Sequence, residues 1–274
     1  MLRARILTAG ILLAGFLAAL FWLPRTGWIV LVGALLAVAA WEWAGLARVG
    51  LLGRSLYAGA IAAAGIWAGW NVIVDLGPIV GHSWLYIAAT VFWVVLAPLW
   101  LWERPVFANS AVPLLAGVVV LVPNAAAMVA LRGQSPVLLF AVMAVVWISD
   151  IAAYFTGRRF GRRKLAPSIS PGKTWEGVYG ALAGVTVYAT CWLAAAGGSR
   201  PGLWQQTALG ELGFVLLLLG LAAAGIEGDL LESQMKRQAG VKDSGSVLPG
   251  HGGVLDRIDA LLPVLPMAAL AFLK

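Results

Sequence analysis

The sequence predicts an all-α fold: a polytopic helical membrane protein with about nine transmembrane helices and two long polar cytoplasmic loops. Three observations predict it. Of 274 residues, 61% are hydrophobic and only 11% are charged, against about 25% charged in soluble domains; mean hydropathy is +0.90. Apolar stretches recur at lengths close to the ~20 residues that a span requires. The basic residues fall mostly on one side of those stretches.

The stretches lie near residues 5–23, 27–45, 56–75, 83–102, 112–131, 136–156, 177–197, 208–228 and 257–273. Arg3 and Arg5 precede the first and resemble the basic start of a signal peptide. Further apolar runs follow with no clear small-residue cleavage site, so the first is read as a retained helix. The second and third are interrupted by polar or small residues, and the last is short. With nine spans, the N-terminus and alternate loops share one face. That face carries Arg3, Arg5, Arg48, Arg54, Arg104, Arg158, Arg159, Arg162, Arg163, Lys164, Lys173, Lys236, Arg237, Lys242 and Arg257. Arg25, Arg132, Arg200 and Lys274 lie opposite. This asymmetry predicts N-terminus inside, C-terminus outside and both long polar loops in the cytoplasm.

Two textures follow. Residues 1–135 are apolar helices with short connectors and little chemistry; residues 136–274 hold the polar residues and are expected to form the catalytic transmembrane domain, with cytoplasmic loops 157–176 and 232–256. No internal repeat is visible, so an inverted-repeat transporter gains no support. Many of the 14 tryptophans stand near span ends, as at Trp41, Trp43, Trp84, Trp100, Trp102 and Trp204, the pattern of an interfacial belt. The single Cys191 excludes an internal disulfide and a cysteine-based zinc cluster. Net charge is +7. Topogenic lysines and arginines explain part of it, and no nucleic-acid partner is expected.

The richest stretch runs from Ser233 to Asp259, a polar, glycine-rich segment between apolar ones. Such a loop suits phosphate and metal handled at a lipid surface. In the earlier loop, Ser168, Ser170, Pro171, Gly172, Lys173 and Thr174 supply hydroxyls, a turn and a lysine just before a helix, a setting suited to phosphate. It lacks P-loop spacing. The five basic residues from Arg158 to Lys164 also fit a topogenic or anionic-lipid patch.

Asp150 lies within an apolar run, four residues before Tyr154, so the two share a face. A carboxylate there needs a polar cavity or a partner. Glu227, Asp229 and Glu232 are expected at the cytoplasmic end of the eighth span, where acids oppose the helix dipole. A cation, or Lys236 and Arg237, would relieve them. Asp256, Arg257 and Asp259 open the last span, where acids also serve as caps. Asp229 and Asp256 can meet at one mouth, and hard oxygen ligands suit magnesium. His251, flanked by glycines, fits a loop, base or phosphate role better than zinc, since the other histidine, His82, is expected on the opposite face.

Ser233, Met235-Lys236-Arg237, Lys242-Asp243, Gly245, Leu248-Pro249, His251-Gly252-Gly253 and Asp256-Arg257-Ile258-Asp259, at their spacing, resemble the signature of the phosphatidate cytidylyltransferases (CDP-diacylglycerol synthases). The upstream string Ser149-Asp150, Ala153-Tyr154, Gly157, Phe160-Gly161, Lys164-Leu165, Pro167, Ile169-Ser170-Pro171, Lys173-Thr174 and Glu176-Gly177 is similar to that family's preceding loop. The resemblance covers about the C-terminal half. It implies conversion of CTP and phosphatidate to CDP-diacylglycerol and pyrophosphate in phospholipid biosynthesis, with magnesium held at Asp229 and Asp256. Some members are associated with an additional monovalent cation. Lys242, Asp243 and His251 join the implied catalytic set. Lys173, Ser170, Thr174, Ser233, Lys236, Arg237 and Arg257 are candidate substrate contacts, with Asp150, Glu232 and Asp259 as further candidates. The expected partners are CTP or dCTP, phosphatidate, the bilayer and a second copy of the chain in a homodimer. The expected location is the inner (plasma) membrane.

Two rivals differ in chemistry. A CTP-dependent polyprenol or phytol kinase would use a lipid alcohol and need a base. An ion-coupled transporter would gather acids at mid-bilayer.

Overall fold

The computed structural model describes residues 2–74, 83–107, 109–196, 210–247, 250 and 252–273. The apolar stretches are helices. In chain order they are α1 (Leu2–Trp22), α2 (Arg25–Leu46), α3 (Leu51–Val74), α4 (Ser83–Val91), α5 (Ala97–Glu103), α6 (Ala111–Gln134), α7 (Pro136–Phe160), α8 (Trp175–Ala195), α9 (Gly210–Ala239), α10 (Leu255–Ile258) and α11 (Leu261–Phe272). A π-helical turn, Phe92–Leu96, joins α4 to α5. Pro98 follows it by two residues, and its missing N–H interrupts the regular ladder. Among the described residues, seven helical segments are long and apolar enough to cross a membrane. The protein is an all-α polytopic membrane protein.

The last predicted span divides into α10 and α11. At 12 residues, α11 is about 18 Å long, short of the ~30 Å hydrocarbon core. It is apolar on all sides and buried among α4, α6, α7 and α9. The tryptophans also divide. Trp84 and Trp102 are exposed, as a belt requires, but Trp43 and Trp100 are buried, and Trp43 Nε1 donates to the Pro113 carbonyl at 2.8 Å. For these two, core packing replaces the belt reading; Trp204 lies outside the described residues.

Close helix approaches set the C-terminal half. α7 and α8 pack where a Cβ on Gly180 would collide with Thr156. α9 meets the α10–α11 junction at Gly228, where a Cβ would stand 2.5 Å from the Asp259 carbonyl oxygen and 2.9 Å from Pro263 Cδ.

Both polar loops carry structure that the sequence reading left as loop. Between α7 and α8, β1 (Lys164–Ala166) and β2 (Ser170–Thr174) form an antiparallel hairpin pairing Lys164 with Thr174 and Ala166 with Ser170. Thr174 caps α8 by accepting from the Gly177 N–H at 3.2 Å, while Glu176 accepts from the Arg162 N–H at 3.0 Å. The second loop starts later than residue 232, because α9 continues to Ala239. Glu, Ser, Gln, Met, Lys and Arg from Glu232 to Arg237 are compatible with helix. Lys236 and Arg237 in the last turn complement the dipole. Gly240, at φ +76°, closes a Schellman motif: its N–H donates to the Arg237 carbonyl and that of Val241 to the Lys236 carbonyl.

Candidate functional site

The continuation of α9 corrects the site's geometry. Asp229 and Glu232 stand two to three turns before the helix end, so the expected clash with the C-terminal dipole does not arise. A 30-residue helix is about 45 Å long, about 15 Å beyond the hydrocarbon thickness. The segment from Asp229 to Ala239 has the length to project from the bilayer. On it, Asp229, Glu232, Ser233, Lys236 and Arg237 follow helical spacing along one side.

Two lysines organise the carboxylates. Lys173 Nζ, carried by β2, meets Asp229 Oδ2 at 2.8 Å and donates to the Ile226 carbonyl at 3.4 Å. Ser233 Oγ donates to Asp229 Oδ1 at 3.1 Å. Lys236 Nζ lies 2.6 Å from both Glu232 Oε2 and Asp256 Oδ1. Asp229 is thus paired with Lys173, and Asp256 with Lys236. Asp150 and Asp259 add like charge near Asp229.

Asp256 Oδ2 accepts from the Ser244 N–H at 2.9 Å, Ser244 Oγ at 2.9 Å and the Gly253 N–H at 2.8 Å. Burial alone would raise its pKa. The Lys236 hydrogen bond, with the Gly253 N–H, the Lys236 charge and the Ser244 N–H, outweighs burial and holds the carboxyl below its ordinary value.

A cavity of about 560 Å³ opens beside Lys173 and Asp229. α7 contributes Asp150, Tyr154 and Arg158, one turn apart; the hairpin contributes Ser170, Lys173 and Thr174. Arg158 donates to the Tyr154 hydroxyl at 2.9 Å. Arg237 Nε donates to the Ile169 carbonyl at 3.3 Å and ties α9 to the hairpin. Arg104, a left-handed cap at φ 50°, reaches Ser168 Oγ at 2.8 Å.

The structure therefore brings together Asp150, Ser170, Lys173, Thr174 and Asp229 at the cavity, and joins Glu232, Lys236 and Asp256 beside it. Lys242 and Asp243 are exposed in the loop after α9, and Arg257 is exposed on α10. His251 and His82 lie outside the described residues. The sequence reading missed Glu42. This α2 carboxylate is 2% exposed, accepts from the Val254 N–H at 3.1 Å and the Leu255 N–H at 2.7 Å, and shares the single Ser244 hydroxyl proton with Asp256, Ser244 Oγ lying 3.2 Å away. A carboxylate inside an apolar run was the available signal, the same one that singled out Asp150.

The profile of the cytidylyltransferase family matches residues 3–273. The chain belongs to the cytidylyltransferase family. It is 39% identical to a phosphatidate cytidylyltransferase of Pseudomonas aeruginosa, over 98% of this chain and 96% of the relative. It is 36% identical to that of Haemophilus influenzae, over 97% and 96%. A Bacillus subtilis phosphatidate cytidylyltransferase is 43% identical over 47% of this chain and 44% of the relative. The family match spans both halves, so the apolar N-terminal helices belong to the enzyme as much as the signature does.

The donor chemistry fits magnesium, a hard cation. Among the described residues, no three His, Cys, Asp or Glu side chains gather closely enough to hold a metal unaided. Magnesium does not need three: it retains waters and uses one or two carboxylates with substrate phosphates. Among the described residues, no hydrogen-bond partner reaches the buried Glu232 Oε1, the second oxygen of the carboxyl that meets Lys236.

Proposed function

We infer that this chain is a membrane-embedded nucleotidyltransferase that converts CTP and phosphatidate to CDP-diacylglycerol and pyrophosphate in phospholipid biosynthesis. The observation that carries this is the end-to-end family match to enzymes named for that reaction, joined to a lysine–carboxylate cluster at the end of apolar helices.

In the proposed reaction, a phosphate oxygen of the lipid attacks the α-phosphorus of CTP. A new P–O bond forms, the bond to the bridging oxygen of the β-phosphate breaks, and pyrophosphate departs with the electron pair. The nucleophile is already anionic, so positioning and charge neutralisation dominate over general-base catalysis. Lys173 stands at the cavity beside Asp229 and is assigned to phosphate. Ser170 and Thr174 supply hydroxyls from the same hairpin. Lys236 and Arg237 supply positive charge along α9, and Arg257 supplies it from α10.

Asp229 and Asp256 are the proposed magnesium ligands, with Glu232, Asp150 and Asp259 nearby. Bound magnesium would neutralise phosphate charge. Cation binding at Asp256 would replace or share the contact that Lys236 now makes with Oδ1. The proposal extends to a monovalent cation at the same centre, to dCTP as a second nucleotide and to a homodimer. The basic asymmetry supports an active site facing the cytoplasm, and the bacterial relatives support the inner membrane.

The deciding assay uses purified protein in detergent with phosphatidate and CTP labelled at the α- or γ-phosphate. α-Label must enter the lipid product and γ-label must leave in pyrophosphate. Lipid labelled from the γ-position would instead establish a lipid kinase.

A further inference from the structure

We propose that Glu42, on α2, is a positioning residue of the transferase site: it anchors the segment 244–255 and thereby aims Asp256. The inference rests on the assignment of Asp256 to the site. It gives the N-terminal helices a part in catalysis.

The physical argument begins with burial. A carboxylate sequestered from water is tolerated only when its oxygens are hydrogen-bonded. Glu42 is 2% exposed, and among the described residues its donors come from the segment 244–255. Oε1 accepts the Val254 N–H at 3.1 Å and Oε2 accepts the Leu255 N–H at 2.7 Å; Ser244 Oγ, whose single proton is shared between the two carboxylates, lies 3.2 Å from Oε2. Glu42 and Leu255 are 213 residues apart in the chain. The backbone N–H groups that open α10 have no partner within that helix, and Glu42 supplies one.

Ser244 carries the connection onward. Its Oγ lies 3.2 Å from Glu42 Oε2 and 2.9 Å from Asp256 Oδ2, and its N–H also donates to Asp256. The path therefore runs from α2 through one serine to the Asp256 carboxylate, and through Lys236 to α9.

Two signature glycines are explained by the same side chain. A Cβ on Gly245 would collide with Glu42 Oε1. A Cβ on Gly253 would stand 2.5 Å from Glu42 Oε2 and collide with Ser244 Oγ. Neither glycine has positive φ, unlike Gly250 and Gly252. Gly245 and Gly253 thus serve space rather than backbone conformation: they let the loop close onto the carboxylate.

The test uses full-length protein in detergent. Glu42→Gln retains shape but offers an amide N–H to donors that need an acceptor. Expected results are a fall in kcat of about 10- to 100-fold, corresponding to about 1.4–2.7 kcal/mol, KM for phosphatidate within about twofold of wild type, and faster amide exchange at Val254 and Leu255. Glu42→Asp should recover part of kcat. In a second arm, Gly245→Ala should lose activity, and Glu42→Asp in the same chain should restore it, because the shorter acid retracts from the new methyl. A folded Glu42→Gln with wild-type kcat and unchanged exchange would overturn the proposal. If Glu42→Gln does not fold, the Gly245 pair decides: restoration supports the proposal, and a double variant no better than Gly245→Ala refutes it. Wild-type protein run in parallel separates this from the broader reading. If it transfers no α-label, the proposed reaction fails, while exchange at Val254 and Leu255 still reports on Glu42.

Discussion

Asp256→Asn is the most discriminating single substitution. Its two oxygens face different demands: Oδ1 meets the Lys236 ammonium at 2.6 Å, and Oδ2 accepts three donors from Ser244 and Gly253. An asparagine has one acceptor oxygen and one amide nitrogen. If its oxygen serves the loop, the amide nitrogen points its hydrogens at an ammonium. If its oxygen serves Lys236, those hydrogens oppose Ser244 and Gly253. Either choice loses at least one charge-assisted hydrogen bond, worth about 1.5–3 kcal/mol. Loss of the proposed metal ligand adds to this at the transition state. Turnover should fall at least ~100-fold, about 2.7 kcal/mol, with the helices intact by circular dichroism. The assay is initial-rate transfer of α-labelled nucleotide to phosphatidate, alongside thermal unfolding in the same detergent. A purified, folded variant with near-wild-type turnover would refute both the carboxylate's role and the reasoning from its four contacts.

Asp229→Asn should likewise cost at least ~100-fold in turnover, because Lys173 and Ser233 then face an amide; retained activity would remove Asp229 from the site. Lys236→Met leaves Glu232 and Asp256 without their shared cation, with side chains only 1% and 7% exposed. Breaking such a buried pair costs about 3–5 kcal/mol, and Glu232→Gln in the same chain should recover part of it in an unfolding titration. The pH dependence follows from Asp256. Its folded pKa lies below the ordinary 3.8, so the native state binds fewer protons here than the unfolded chain. Its stabilisation is fully present above that value and is lost as pH falls through the folded pKa; Asp256→Asn should flatten the acid limb of a stability–pH curve, and an unchanged limb would contradict the assignment. For topology, cysteines introduced at Ser168 and Ser246, after Cys191→Ser, should both react from the cytoplasmic side; labelling from opposite sides would overturn the orientation.

The signature from Ser233 to Asp259 was legible because polar residues are costly beside apolar spans, so their presence demands a function. The same logic singled out Asp150, which lines the cavity. It was not extended to Glu42, and residues 1–135 were read as carrying little chemistry. The end of α9 was misplaced for a related reason. Polarity beginning at Asp229 marks where a helix can leave lipid, not where it ends. The stop is set by Gly240 and its Schellman bonds. Tryptophan position near a span end did not reveal burial either, since Trp43 is buried beside Pro113.

By itself the sequence determined that the chain is helical and membrane-spanning, that its polar chemistry concentrates in two loops, and which residue types could neutralise phosphate. These follow from local hydropathy, helical spacing and charge placement, each a property of neighbours along the chain. Only the tertiary structure decided the pairings: Lys173 with Asp229, Lys236 between Glu232 and Asp256, and Glu42 with a loop more than 200 residues away. The physical reason is that a buried charge announces its need for a partner through composition alone. Which partner answers depends on close approaches that only the fold permits, here between helices at Gly228 and between loop and helix at Gly245 and Gly253.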